Sequence, residues 1–578
     1  MVIPVFNLLS RHLSAVLCFA LLLLTLSLFA HTGSLQCVAA KNVSGVLETG
    51  ALTSLVQSTI GMRRPIVQLV DSRAAIAVPV KYQGHSLSDN LRLADVFQDH
   101  MVLQRGQCIL VWGTGKPNSK VIIRLNKQAA IGYCNSRGEF KLSLKPELAG
   151  GPYRLLVQCQ PTSVSANVPR TAVAAGTKSG AIYEIAYNDV MVGEVWLCAG
   201  QSNMDMAVNK SADKAVLLSN LSDQLRLFAV GKAQAFVPSK HLQGRWQIAD
   251  AACAGEFSAV ALSFGRRLQS DLKVPVGIIV ASMPAAPIDA WMPERMLQQE
   301  PPFDKIYAER RATEYASKFN AKKCVGGAVS GATDGGLVAA PLLSGRGCST
   351  LYNAMVAPLI PYAIKGVLWY QGEGNLGGHG DYRRHFPALI DAWRVAWHQT
   401  PQDFAFIYVQ LPGCKLFVDQ LGDGVWAQMR EAQDNALRLC NTHRVSAIDL
   451  GAPDQLHPLR KDELGRRASA VALNNVYGRA QIELAPEALK YTVLKNRVLI
   501  EFCNTGGLLR LTGGDCFALC GSDGVYHQAR VSIENNLVTL WSEHVPEPLE
   551  VRYAWADAPG SLLVNVWNVP AAPFSKLF

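Results

Sequence analysis

Five short apolar runs, at residues 191–198, 275–281, 366–370, 404–410 and 444–450, alternate with stretches of helical periodicity. Between the first two, Phe257, Val260, Ala261, Phe264 and Leu268 fall on one helical face. Strands that are apolar along their whole length must be buried on both faces, which indicates a parallel sheet covered by helices. In such a sheet the chemistry belongs at the carboxyl ends of the strands. Polar residues gather there. Gly200-Gln-Ser202-Asn203 follows the first run, and Ala281-Ser-Met-Pro-Ala-Ala-Pro-Ile-Asp-Ala-Trp291 the second. Trp369-Tyr-Gln-Gly-Glu-Gly-Asn375 follows the third, and Gly451-Ala-Pro-Asp-Gln-Leu-His-Pro458 the last.

The block Val192-Gly-Glu-Val-Trp-Leu-Cys-Ala-Gly-Gln-Ser-Asn-Met204 reads as a strand that bends at Gly200 and presents Ser202 at the start of a helix. A hydroxyl there lies beside backbone N–H groups that have no helical acceptor, as a nucleophile and its oxyanion require. Asp454 and His457, three residues apart, can share a turn in which the acid orients the imidazole that deprotonates Ser202. Asp449, at the end of its run, is a second candidate for the acid. Ser…Asp…His order through an α/β sheet is a hydrolase order.

At 578 residues the chain exceeds one ordinary core. We expect five parts: a signal peptide or signal anchor (1–40), a linker or extension (41–90) and an N-terminal β-domain (91–182) come first. The catalytic α/β domain (183–480, with a loop insertion at 311–350) and a C-terminal β-domain (481–578) follow. Phe140, Leu142 and Leu144 alternate with polar residues in the first β-rich segment, as Val498, Ile500 and Phe502 do in the last. Arg11 and His12 precede the apolar run Leu13–Ala30, and Val38-Ala39-Ala40 offers a cleavage point. A secretory destination follows, with membrane attachment if the leader stays uncleaved. A cut after Ala40 would leave twelve of the fourteen cysteines, an even number that permits disulfides, with Cys324 and Cys348 a pair that could clip the insertion. Asn42, Asn209 and Asn220 head glycosylation sequons. The net charge of +10 carries no long Lys/Arg block, which argues against a nucleic-acid partner.

The Val192–Met204 block resembles the nucleophile block of sialate O-acetylesterases, within the SGNH/GDSL hydrolase superfamily. The similarity continues through Leu351-Tyr-Asn-Ala-Met-Val-Ala-Pro-Leu359, Gly366-Val-Leu-Trp-Tyr-Gln-Gly-Glu373, Phe386-Pro-Ala-Leu-Ile-Asp-Ala-Trp-Arg394 and His457-Pro458. Met101-Val-Leu-Gln-Arg105 and Val551-Arg-Tyr-Ala-Trp555 extend it to roughly residues 91–578. The resemblance implies an SGNH-like α/β fold, a parallel sheet flanked by helices between β-rich N-terminal and C-terminal segments. It implies removal of O-acetyl groups from sialic acid through an acetyl-enzyme, with no cofactor and no metal. Ser202 would be the nucleophile, His457 the base and Asp454 the acid. Ser202, Gln371 and Ala285 would form the oxyanion hole, and Gln201, Asn203 and Glu373 would bind substrate or support the site. Two neighbouring readings share the fold: an acetylesterase acting on other acetylated saccharides, and a non-catalytic carbohydrate-binding descendant. The last is motivated by Pro284-Ala285, where the family carries two glycines that let the backbone approach closely and supply an oxyanion N–H.

Of the remaining residues, Asn203 reads as a helix cap, Trp291 and Trp369 as packing residues, and His379, His385 and His398 as surface or packing histidines. The location fits a secreted, lysosomal or lumenal protein.

Overall fold

The strand that ends at the candidate nucleophile is 18 residues long, Tyr183–Gly200, and ties two sheets together. The computed structural model describes residues 90–161, 182–299, 347–421, 424–481 and 483–578, together with Ala308 and the short strand Val338–Ala339. The leader, its cleavage point, the Asn42 sequon, Cys324 and nearly all of the 311–350 insertion lie outside the described residues.

In chain order the strands that matter are β1 (Val102–Gln104), β2 (Lys120–Leu125), β3 (Gly150–Gln160) and β4 (Tyr183–Gly200). There follow β5 (Leu225–Ala229), β6 (Trp246–Ile248), β7 (Val276–Ser282), β8 (Gly366–Tyr370), β9 (Ala405–Val409) and β10 (Thr442–Val445). The first half of β4 pairs antiparallel with β3, and Met191–Gly193 pair parallel with β1. Its second half, from Glu194 to Gly200, lies between β7 and β8 in a sheet ordered β6-β5-β7-β4-β8-β9-β10. All neighbours in that sheet are parallel except the edge strand β6.

Every residue of β7, β8 and β9 is buried, which is why these strands read as continuous apolar runs. The helices α1 (Ser202–Asp205), α2 (Ala259–Leu272), α3 (His379–Ala396), α4 (Val425–Asp434) and α5 (Lys461–Asn475) connect and cover them. The expected face Val260, Ala261, Phe264 and Leu268 is fully buried on α2. Trp369 sits among Trp291, Phe386, Trp393 and Phe406, with ring centroids 5.9 to 6.4 Å apart. Both Trp291 and Trp369 are therefore core residues, closed to a sugar ring.

Two expectations about the sheet need correction. β5 was not among the expected strands, and the last strand is Thr442–Val445, not 444–450. The apolar residues Ala447, Ile448 and Leu450 are buried in the connection beyond it.

The described residues from Asn90 onward belong to one compact unit. The strands before β4 share a continuous hydrophobic core with the helix-covered sheet. Residues after Glu487 form antiparallel sheets around a second cluster, which includes Val498, Ile500, Phe502 and also Ile448 from the end of the main sheet. Among the described residues no helix is long and apolar enough to cross a membrane. Cys134 and Cys159 are neighbouring thiols, and burial, then the Cys159 sulfur, pushes Cys134 up to about 11.

Candidate active site

Gly200 makes the bend at the end of β4. Its φ is +149°, and a Cβ there would meet the Tyr370 carbonyl oxygen at 2.1 Å. That close approach lets Gln201 donate its N–H to Tyr370 O at 3.1 Å, and Met283 its N–H to Gly200 O at 3.0 Å. Three strand ends are thereby tied at one point, and α1 starts from it with Ser202 as its first residue. Ser202 is half-buried and its neighbours Gln201 and Asn203 are buried.

His457 arrives from the connection after β10. Its Nε2 lies 2.8 Å from Ser202 Oγ, a distance at which the hydroxyl donates to an unprotonated ring nitrogen. Burial, and then the ammonium of Lys461, hold the His457 pKa below its ordinary value, so the neutral imidazole is favoured.

Neither candidate acid hydrogen-bonds His457. Gln455 N–H donates to Ala452 O at 3.1 Å, closing a tight turn with Pro453 and Asp454 at its exposed tip. Asp454 is exposed, and no hydrogen bond joins its carboxylate to the half-buried His457. Asp449 is taken by Arg467, whose guanidinium holds it bidentately at 2.6 and 2.8 Å. Among the described residues no carboxylate hydrogen-bonds His457, and the pair in contact is a Ser202–His457 dyad.

Gln371, the expected side-chain oxyanion donor, has its amide engaged within the protein. It is fully buried, and its amide N–H groups go to Ala286 O at 3.2 Å and Asn375 Oδ1 at 2.8 Å. Two acceptors around one amide nitrogen fix its orientation and use both donors. Asn375 Oδ1 also accepts the Ile288 N–H at 2.9 Å. Gln371 and Asn375 together hold the 283–291 loop against the loop after β8. This positioning role of Asn375 was not expected; its one sequence signal was its place beyond a strand end.

The Pro284-Ala285 replacement forms an exposed turn. Ala286 N–H donates to Met283 O at 3.4 Å, and Ala285 takes φ +58°, the left-handed region that glycine occupies freely. Proline at the second position of such a turn suits its fixed φ and removes no hydrogen bond of the turn itself.

The three residues expected to bind substrate or support the site are all buried. Gln201 Oε1 accepts the Gly374 N–H at 3.0 Å. Asn203 does not cap α1, since that position falls to Gln201. Its Nδ2 instead donates to Glu373 Oε1 at 2.5 Å and to Leu456 O at 3.0 Å, while its Oδ1 accepts from Lys461 Nζ at 2.7 Å. Lys461 has no exposed surface and was not among the expected site residues. A lysine at the start of a helix after Leu459-Arg460 looks like a solvated charge in sequence. Burial lowers its pKa to about 7, against the opposing pull of Glu373. Burial raises that of Glu373, which a backbone hydrogen bond, Asn203 and Lys461 offset in part. Of the other expected histidines, His385 is buried with its Nδ1 2.9 Å from Asp289, away from Ser202.

Among the described residues no group of three or more His, Cys, Asp or Glu gathers as a metal cage. A cavity of about 470 Å³ between β10, α5 and the C-terminal sheets is lined by Asp434, Arg444, Arg467 and Tyr491, and contains neither Ser202 nor His457. The chemistry therefore belongs to the cleft at the strand ends, not to that cavity.

Comparison with known proteins points to carbohydrate esterases. Residues 316–473 match the family described as carbohydrate esterase, sialic acid-specific acetylesterase. Sialate O-acetylesterase of Homo sapiens is 27% identical over 456 residues, 73% of this chain and 78% of that protein. Its Mus musculus counterpart is 27% identical over 474 residues, 74% and 80% respectively. Among solved structures, a carbohydrate acetylesterase from Xanthomonas citri superposes with a TM-score of 0.67 at 29% identity, covering 84% of this chain and 99% of that one. With an SGNH-like α/β sheet, a serine at the end of its central strand and these relatives along most of its length, the chain is similar to the sialic acid-specific acetylesterases among the carbohydrate esterases.

Proposed function

We propose that the protein removes acetyl groups from O-acetylated sialic acids through Ser202 and His457. The observation that carries this reading is the 2.8 Å approach of His457 Nε2 to Ser202 Oγ at the carboxyl end of β4. Ser202 Oγ attacks the acetyl carbonyl carbon as its proton passes to His457 Nε2. The negative charge that develops on the carbonyl oxygen is met by backbone N–H groups, with those of Ser202 and Ala285 the proposed donors. The Ser202 N–H opens α1 and has no acceptor within the helix. The turn at Pro284-Ala285 is closed by the next N–H along, so that of Ala285 is not consumed by it. Collapse expels the sugar alkoxide, which takes the proton from His457. Water then attacks the acetyl-enzyme, giving its proton to His457, and acetate leaves as Ser202 is reprotonated.

Acetylated saccharides other than sialic acid form a second reading, favoured by the carbohydrate acetylesterase of Xanthomonas citri, which matches over most of both chains. The presence of both members of the dyad speaks against a purely binding role. The secretory destination is part of the same proposal. It is supported by the apolar run Leu13–Ala30 and by the exposure of the sequon residues Asn209 and Asn220.

Acetate release from 4-nitrophenyl acetate and from 9-O-acetylated sialic acid, with wild type and Ser202→Ala, tests the reading. Release from both substrates that falls by about 1000-fold or more in the variant is expected. Release from the aryl ester alone would move the assignment to another saccharide. Activity that survives Ser202→Ala would end the serine mechanism.

A further inference from the structure

We propose that Asn203, Glu373 and Lys461 form a buried clamp that holds the nucleophile and the base at reacting distance, with Lys461 the positioning residue. The inference rests on the dyad mechanism above and extends it to groups that never touch substrate. Asn203 directly follows the nucleophile, and its Nδ2 bonds the carbonyl of Leu456, which directly precedes the base. One amide therefore bridges the two chain segments that must keep Ser202 Oγ and His457 Nε2 at 2.8 Å.

The bridge works only if the amide cannot rotate. Glu373 accepts from its nitrogen at 2.5 Å and Lys461 donates to its oxygen at 2.7 Å, so the amide is oriented by an anion on one side and a cation on the other. The three side chains come from α1, the loop after β8 and the first residue of α5, and Lys461 Nζ lies 5.1 Å from the centre of the Tyr370 ring. An ammonium with no exposure would be costly unless partnered, and replacing one member strands the others.

Lys461 also brings charge to the base. The titratable groups around the clamp are Glu373 in the loop after β8, Tyr370 on β8, Tyr382 on α3, Cys414 beyond β9 and His457 itself, and Asp205 ends α1. Asp205 is engaged by Ser282 Oγ and Lys232 Nζ, both at 2.7 Å. Among the ionised groups acting on His457, the Lys461 ammonium disfavours the imidazolium. Lysine lowers the pH at which the base becomes protonated, and that effect separates a positioning role from simple packing.

The test is the pH profile of kcat/KM for 4-nitrophenyl acetate in wild type, Lys461→Met and Glu373→Gln, with melting temperatures for each. Lys461→Met removes the charge and the donor at similar volume. A fall in kcat of at least about tenfold with KM changed less than about twofold is expected. The acid limb should move to higher pH by roughly half a unit to one unit, because His457 loses the neighbouring cation. Glu373→Gln keeps an acceptor for Asn203 but leaves Lys461 without its counter-charge, so the ammonium deprotonates at lower pH and the acid limb should move in the same direction. That variant carries the test if Lys461→Met does not fold. A lower melting temperature with kcat and the acid limb unchanged in a folded variant would overturn the clamp. Failure of the underlying mechanism looks different, since wild-type hydrolysis would then not depend on Ser202.

Discussion

A base that accepts the Ser202 proton must be neutral, so the protonation of His457 sets the acid side of activity. Burial, followed by the Lys461 charge, lowers its pKa from the ordinary value of about 6.5. A group with a depressed pKa keeps its neutral form to lower pH. Activity is therefore expected to persist below about pH 6.5 and to fall as pH drops through the lowered value, in a kcat/KM profile measured from pH 4 to 8. Asp454 makes the opposite case. Its carboxylate stands at an exposed turn tip, so Asp454→Asn should change kcat/KM by less than about threefold, where His457→Ala should cost about 1000-fold or more. A loss in Asp454→Asn comparable to that in His457→Ala would restore the three-residue arrangement. Sequence spacing suggested the triad because Asp-x-x-His fits one turn. It did not show that Gln455 N–H would close a turn on Ala452 O with Asp454 at its exposed tip.

The parallel sheet was legible because β7, β8 and β9 are buried on both faces and carry no charge to interrupt the pattern. The failures have the same logic. β5 contains Arg226, which is buried and satisfied by Asp189 at 2.5 Å, so a charge sits inside a strand that reads as broken. At the edge, β10 carries His443 and Arg444, with Arg444 bonded to Asp434 at 2.5 Å, and the apolar run shifted the expectation past it. Gly200 shows what was readable at a bend. An alanine Cβ at that position would sit 2.1 Å from Tyr370 O, within backbone that ties β4 to β8. Gly200→Ala should destabilise by about 3 kcal/mol or more, since neither strand can yield, and abolish activity with it. Urea unfolding of the purified variant reads the first effect and aryl-ester hydrolysis the second. A variant of unchanged stability would mean that the strand ends can part.

Across the whole molecule, the C-terminal β-sheets are built into the hydrolase sheet through Asp557. Its Oδ1 accepts the Trp426 N–H at 2.7 Å and its Oδ2 the Gly424 N–H at 2.8 Å, so a residue more than 130 positions away caps the start of α4. The main-chain oxygen of Asp557 accepts from Cys414 N at 3.0 Å and from Arg430 Nη1 at 3.4 Å. Arg430 is fully buried, and burial lowers its pKa to about 10 although the Asp557 charge opposes the shift. A negative charge at a helix N-terminus and beside a buried guanidinium is stabilising on both counts. Asp557→Ala leaves two N–H groups without acceptors and Arg430 without its nearest counter-charge, at an expected cost of about 2 to 3 kcal/mol. Because α4 also supplies Gln433, whose Nε2 donates to Gln371 O at 3.1 Å, the loss should reach the loop after β8. The expected result is a lower melting temperature accompanied by reduced kcat, in a protein whose Ser202 and His457 are untouched. Full activity at an unchanged melting temperature would show that the C-terminal sheets are an appendage rather than part of the machinery's support.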